Sequence, residues 1–195
     1  LPEMGFSAKH FNFMEAKQIQ YYHVPTPYTE LYYRSVMEQG QNVDAFITIN
    51  TSKNLNFFIG YKGLRSIGKY INALTSTGNF RFGLSYQNEG GRYVLNTNVL
   101  YQDVLNNENG GIKNNAEFES DDPDYKERGR LDVNLKDAST LLKGRSFFSS
   151  QVFRLNKQST ANNWYIGHEL TAEAKFFQYK QTSQNAFFGD AYIKS

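Results

Sequence analysis

The chain has 195 residues, of which 39% are hydrophobic and 21% are charged, with a formal net charge of +2 and no cysteine. Charges of both signs are scattered, which gives no electrostatic basis for nucleic-acid binding, and the lack of cysteine excludes disulfides and cysteine-based metal or redox sites. Mean hydropathy is −0.62. No run of about eighteen apolar residues is present, so the sequence predicts no membrane-spanning helix.

The first thirty residues contain two short aromatic runs, FNF at 11–13 and YYH at 21–23, followed by Pro25 and Pro27. Proline lacks the backbone N–H that a β-ladder requires. We therefore expect an edge, a turn or the entrance of a first strand in this part of the chain.

From residue 29 onward, apolar and polar side chains alternate along successive runs. The run at 42–50 breaks the alternation only at Phe46, and the next run only at Phe58. Successive side chains of a strand point to opposite faces, so each run has one apolar and one polar face. Each run is about as long as the 9–11 tilted residues that cross a bilayer as a strand. We predict strands at 29–38, 42–50, 54–63, 79–88, 92–103, 129–136, 146–156, 163–179 and 186–194.

The run at 163–179 shows the alternation at its greatest length. One parity is apolar except for His168, and the other contains Glu169 and Glu173. A helix would place apolar residues three and four positions apart, whereas these are two apart. Because a carboxylate that faces lipid is unfavourable, we expect the parity with the glutamates to face a lumen or water.

The connections between the predicted strands alternate in length. Short turns are expected at 51–53 and 88–91, and longer loops at 64–78 and 104–128. The 14 Tyr and 16 Phe fit the aromatic girdles that barrels place at the membrane interfaces. We predict an all-β fold, an antiparallel transmembrane β-barrel or partial barrel, with short turns on one rim and long loops on the other. Residues 1–195 are expected to form a single β-barrel domain.

Several motifs occur in an order that resembles the putative-porin family of outer-membrane proteins found in Bacteroidetes. The similarity lies in YTELYYR at 28–34, IGYKGLRS at 59–66, ENGG at 108–111, DPD at 122–124 and RGRLDVN at 128–134. The resemblance implies an outer-membrane β-barrel and a bacterial outer-membrane location. Its motifs carry no known chemistry, so no functional residue is carried over to this chain.

Members of that family are considerably longer than this chain. Bacterial barrels commonly finish with an aromatic residue on the last strand, whereas this sequence ends in YIKS at 192–195. We therefore expect the 195 residues to be an internal piece of a larger barrel.

Charged residues on the polar parity are candidates for the lining of a lumen, where opposed charges tune ion preference. These residues are Lys62, Arg81, Arg92, Glu169, Glu173 and Lys175. The alternative is that they pair with neighbours and fill space.

An acidic cluster in the second long loop is a candidate calcium site. Asp121, Asp122 and Asp124 offer hard oxygen ligands at short spacing, although the spacing does not match an EF-hand. The favoured interpretation is a solvated acidic loop that faces Lys126 and the basic residues after it. No other cofactor is predicted.

No catalytic residues are predicted, because the three histidines are far apart and no GxSxG elbow is present. The leading hypothesis is a non-enzymatic, porin-like barrel that contacts outer-membrane lipid and admits small hydrophilic solutes. An alternative is a structural or accessory barrel subunit of a larger outer-membrane complex, with other outer-membrane proteins as partners. A third is a soluble β-sandwich that binds carbohydrate.

Overall fold

The computed structural model describes residues 10–36, 40–156 and 164–182. In these ranges seven strands form one antiparallel sheet, in which each strand pairs with its neighbours in the sequence. The strands are β1 (Tyr28–Val36), β2 (Gly40–Ser52), β3 (Leu55–Ser66), β4 (Thr75–Gln87), β5 (Tyr93–Glu108), β6 (Ala138–Arg154) and β7 (Tyr165–Lys180). The described helices are short: α1 (Asn115–Glu119), α2 (Pro123–Lys126) and single 3-10 turns at Ala16–Gln18 and Arg128–Arg130. Among the described residues, no helix has both the length and the apolar character needed to span a membrane.

The predicted all-β antiparallel fold is confirmed. The sheet is open in the described part of the chain, because β1 and β7 each pair with one neighbour only, as expected for a partial barrel. The long connections between β3 and β4 and between β5 and β6 lie at one end of the strands, and the tight turns after β2 and β4 lie at the other. The predicted strand at 186–194 falls outside the described residues.

The predicted strand at 129–136 is wrong. These residues belong to the loop between β5 and β6, and their alternating apolar side chains are buried. Leu131 and Val133 are fully buried, and Val133 makes only an isolated bridge to Ile112. The period of two therefore arises from packing within a loop, and β6 begins at Ala138 instead of the predicted 146.

The loop between β5 and β6 contains a small, half-exposed ionic cluster. Asp132 lies 2.8 Å from Lys136 Nζ and 3.6 Å from Lys113 Nζ. The hydrogen bond from Lys136, followed by the positive charges of both lysines, lowers the pKa of the Asp132 carboxyl. A carboxyl whose pKa is depressed by folding stabilises the fold above its ordinary pKa, and the contribution disappears as the pH falls through the folded value.

We expect an NMR titration of the Asp132 carboxyl carbon to give a midpoint below the ordinary aspartate pKa. The substitution Lys136→Met should raise this midpoint, because it removes the main hydrogen bond and a nearby positive charge. A midpoint at or above the ordinary value in the unmodified protein contradicts the ionic cluster.

The register divides the strand residues between two faces. One face, here called the apolar face, contains Ile47, Ile59, Phe82, Val99 and Phe147 in a single row across β2 to β6. Large side chains in this row remain exposed, for example 40% for Ile59 and 37% for Phe82. All seven described strands belong to one sheet. The opposing sheet that a β-sandwich requires is therefore absent from the part of the chain that the structure describes.

Candidate functional site

The opposite side of the sheet, here called the polar face, collects most of the predicted lumen residues. In the strand register Lys62 and Lys175 lie in one row across β3 to β7, and Arg81 and Glu173 lie in the next. Glu169 lies on the same face, opposite Ser150. Asn, Gln, Thr and Ser fill much of the remainder, and those that are buried are Thr48, Asn56, Thr77, Asn79, Asn98, Gln102, Asn106 and Thr140.

Arg92 is placed differently from the other five predicted lumen residues. It lies in the turn before β5, where its guanidinium donates to the carbonyl oxygen of Leu155 at 3.0 Å and lies 5.8 Å from the centre of the Phe153 ring. Phe153 is on the apolar side of β6, since it pairs with Tyr93 and Ile166. Arg92 therefore belongs to the rim with the short turns.

The N-terminal segment 10–24, here called the strap, lies across the polar face. The side-chain amide of Gln102 holds both polar groups of Met14: Nε2 donates to the Met14 carbonyl at 2.6 Å, and Oε1 accepts from the Met14 N–H at 2.9 Å. Asn98 Nδ2 donates to the carbonyl of Ala16 at 3.0 Å. The Val24 N–H donates to Asn50 Oδ1 at 3.1 Å. Amide side chains of the sheet thus bind the main chain of the strap.

The two exceptions to the alternating pattern form the aromatic seat of the strap. Phe46 and Phe58 both lie on the polar face, and their ring centres are 5.8 Å apart. Tyr22 packs on both, at 4.9 Å from Phe46 and 5.6 Å from Phe58. Phe58 is only 1% exposed. The segment that covers Phe46 and Phe58 therefore accounts for the large apolar side chains that β2 and β3 place on the polar face.

Glycines on the polar face give the aromatic rings room. A Cβ atom added at Gly144 would lie 2.6 Å from the Phe13 ring, and one added at Gly83 would lie 2.3 Å from the Phe58 ring. Both distances are far below van der Waals contact, which puts the rings directly against the main chain of β6 and β4. Close approach of this kind requires a residue without a side chain.

Three of the predicted lumen charges pair with the strap or with each other. Lys175 Nζ lies 3.1 Å from Glu15 and 3.2 Å from Glu173. Lys17 Nζ lies 3.1 Å from Glu169, in a more exposed pair. Pairs with this much solvent access contribute at most about 1 kcal/mol each, so they orient the strap more than they stabilise it.

The remaining two predicted lumen charges, Arg81 and Lys62, lie on the other half of the polar face. Arg81 pairs with Asp44 at 3.2 Å, and its guanidinium lies 5.7 Å from the centre of the Phe46 ring. Lys62 has no ion-pair partner among the described residues, and it lies directly opposite Asp44 in the register. A basic and polar patch therefore remains beside the strap.

Tyr21 completes the contact between the strap and the middle of the sheet. Its hydroxyl accepts a hydrogen bond from Asn98 Nδ2 at 2.7 Å, and its ring lies 6.2 Å from that of Phe58. Burial raises the pKa of the Tyr21 phenol, and the bond from Asn98 opposes part of that rise. The phenol therefore stays neutral at physiological pH.

The acidic cluster of the second long loop has structural contacts of its own. Asp122 caps α2 by accepting from the Asp124 N–H at 3.0 Å, and Asp124 accepts from Arg130 at 2.7 Å. Within the described ranges, no three His, Asp or Glu side chains converge as they would around a metal ion. A calcium site at Asp121, Asp122 and Asp124 stays a prediction to which these contacts lend no support.

The strap is the part of the site that sequence reasoning missed, since an edge, a turn or a strand entrance was expected there. Two separate features of the sequence pointed to this contact. The aromatic runs at 11–13 and 21–23 had no role of their own, and Phe46 and Phe58 broke the pattern at distant positions. Unexplained rings in two places indicate a contact between them, although the sequence does not specify which ring meets which.

No curated protein and no solved structure matches the chain. A family model described as "Putative porin" matches residues 1–195, which agrees with the single antiparallel sheet and its apolar and polar faces. The chain therefore belongs to the putative-porin family.

Proposed function

We propose that this chain forms part of an outer-membrane β-barrel through which small hydrophilic solutes diffuse passively, without a chemical reaction. The observation that carries the proposal is the exposed apolar face of a single sheet whose other face is polar. Soluble proteins rarely leave so continuous an apolar surface open to water, whereas hydrocarbon covers it without cost. The polar face, with the strap, then faces the lumen.

The strand directions support a barrel completed by further strands. Among the strands that the structure describes, β1 and β7 are the edges and every neighbouring pair is antiparallel, so these two strands run in the same direction. A direct pair between them would be parallel, whereas bacterial barrels are antiparallel with an even number of strands. We therefore expect an odd number of additional strands to close the barrel.

The presence of the strap is an argument for a barrel of more than eight strands. An eight-stranded barrel has an interior that its own side chains fill. Here the interior face carries a peptide segment with its main chain as well as its side chains, since Gln102 binds both polar groups of Met14. A lumen that holds such a segment needs more than about eight strands.

A second candidate function is that of an accessory barrel in a larger outer-membrane complex. The observation that favours it is the outward side of β6, where the register places Lys143, Arg145 and Gln151 on the apolar face. Polar groups facing lipid are unfavourable, and a partner protein would cover them. Purification of the natural full-length protein in mild detergent tests this, because a lone porin elutes without stoichiometric partners.

The pore is tested by recording the natural full-length protein in a planar bilayer. We expect discrete conductance steps, and larger steps in the variant Gly144→Val, because the added side chain takes the space of the Phe13 ring and dislodges the strap. Valine suits a strand, so β6 itself should be preserved.

Gly167→Val is the matched control for this experiment. Gly167 lies on the polar face of β7, and a Cβ atom there meets nothing within 4 Å. Its conductance should equal that of the unmodified protein. Intact barrels are identified beforehand by their heat-modifiable migration on a gel. If all three folded proteins give no conductance steps, the porin proposal fails.

A further inference from the structure

We infer that the polar face is a binding site for a peptide segment and that the strap, which includes a 3-10 turn at Ala16–Gln18, occupies this site in cis. The inference rests on the proposed function in that a peptide from outside would reach the site through the lumen. It goes beyond passive diffusion, because it assigns the lumen a ligand class and a resident competitor.

The first observation is that the sheet binds the main chain of the strap. Gln102 pairs with the N–H and the carbonyl of Met14 at 2.9 and 2.6 Å. Asn98 donates to the carbonyl of Ala16, and Asn50 accepts from the N–H of Val24. Groups common to every residue make these hydrogen bonds, so the face recognises polypeptide backbone in general. A face that only filled space would not need amides aimed at the main chain.

The second observation is a set of apolar seats at separate points along the strap. Phe13 packs with Val104 and Leu142 over Gly144. Ala16 packs with Leu100 and Phe148, and Tyr22 packs on Phe46 and Phe58. The seats select peptides that carry aromatic residues on both sides of a small one. Between the first two seats, Lys175 contacts Glu15, which adds a preference for an acidic residue.

The third observation is that the strap can leave without breaking the sheet. In the described part of the chain the sheet consists of β1 to β7, and the strap contributes no strand to it. Its connection to β1, residues 25–27, is exposed. Asn98 Oδ1 and Asn79 Oδ1 are buried on this face and accept no hydrogen bond within the described protein. These two oxygens offer acceptors that an incoming peptide with different side chains could use.

The test uses exchange of the strap for a labelled copy. A specific protease site is inserted at 25–27, the full-length protein is folded with its strap in place, and the chain is then cut. A fluorescent peptide with the sequence of residues 10–24 is added, and its anisotropy is followed in detergent. We expect saturable binding to the cut protein and much weaker binding to the uncut protein, because the tethered strap competes.

Two peptide variants separate main-chain recognition from simple adhesion of aromatic rings. N-methylation at Met14 removes the N–H that donates a hydrogen bond to Gln102 Oε1. Because one buried hydrogen bond is lost and a methyl group is added, binding should weaken at least about tenfold. N-methylation at Gln20, which is exposed, should leave the affinity unchanged. Equal loss with both peptides would overturn the inference.

A variant of the barrel provides the reciprocal test. Gln102→Leu removes the amide and should weaken peptide binding by about tenfold or more. Gln87→Leu, on the same face but near the turn after β4, should leave binding unchanged. Folding of each variant is verified by heat-modifiable migration. A folded, cut protein that does not bind the peptide refutes the inference even if it conducts ions, and binding without conductance refutes the pore alone.

Discussion

The substitution Phe58→Ala is expected to lower the free energy of unfolding by about 3–5 kcal/mol, the range for deleting a buried aromatic ring. Phe58 is 1% exposed and lies between the sheet and the strap, in contact with Tyr21, Tyr22 and Phe46. Truncation loses the transfer energy of the ring and also leaves a cavity that neither the strap nor the sheet can fill. Urea unfolding in lipid vesicles, monitored by gel migration, measures the change.

Phe57→Ala is the control, because Phe57 is the same residue type one position earlier and on the apolar face. In the proposed barrel it faces hydrocarbon, so its truncation loses transfer energy of about 1.5–3 kcal/mol but leaves no cavity, since lipid fills the space. A larger loss for Phe57→Ala than for Phe58→Ala would mean that the strap does not cover Phe58.

The substitution Phe82→Arg is expected to destabilise the membrane-inserted protein by about 2–4 kcal/mol, the cost of a basic side chain near the bilayer midplane on the lipid side of a barrel. Phe82 lies in the middle of β4, and its row contains Ile59 and Val99. The same unfolding experiment in vesicles measures the loss, and the fraction that inserts during folding should fall with it.

Ser85→Arg tests whether the loss depends on the face. Ser85 lies three positions further along β4 on the polar face, where its hydroxyl donates to Asn96 at 2.8 Å. An arginine there enters a polar interior, and we expect a loss of only about 1 kcal/mol, the value of the hydrogen bond removed. If the two arginine variants lose equal stability, lipid does not cover the apolar face.

Together these experiments address different surfaces of one sheet. Phe58→Ala and Gly144→Val act where the strap meets the polar face, whereas Phe82→Arg acts where hydrocarbon is expected. A protein with a firmly held strap would be stable and poorly conducting, and one with a loosened strap would conduct more at some loss of stability. We therefore expect the strap to link the stability of the barrel to the proposed passage of solutes.

Much of the sheet was predictable from the residues alone. In β2, Val43, Ala45, Ile47 and Ile49 share the apolar face, as their alternation indicated. The same holds for Glu169 and Glu173 in β7, which lie on the polar face. A slip of one position would move every side chain to the wrong face, so the pattern fixes both the faces and the register.

Local alternation was misleading in one place. Leu131 and Val133 repeat with the period of a strand but are buried within a loop. The run that contains them is short and begins after Gly129, and its only ladder contact among the described residues is the bridge between Ile112 and Val133. A short pattern cannot distinguish a strand from a loop that folds over its own apolar side chains.

The sequence by itself therefore determined the fold class, the two faces and the rim on which the long loops lie, because these depend on side-chain period and turn chemistry within each segment. Only the tertiary structure decided that residues 10–24 cross the polar face. The hydrogen bonds from amide side chains of the sheet to the main chain of the strap join residues from 26 positions apart, for Val24 and Asn50, to 88 positions apart, for Met14 and Gln102. The ion pair between Glu15 and Lys175 joins residues 160 positions apart. Such contacts leave no periodic trace, since each depends on where the sheet brings distant side chains together.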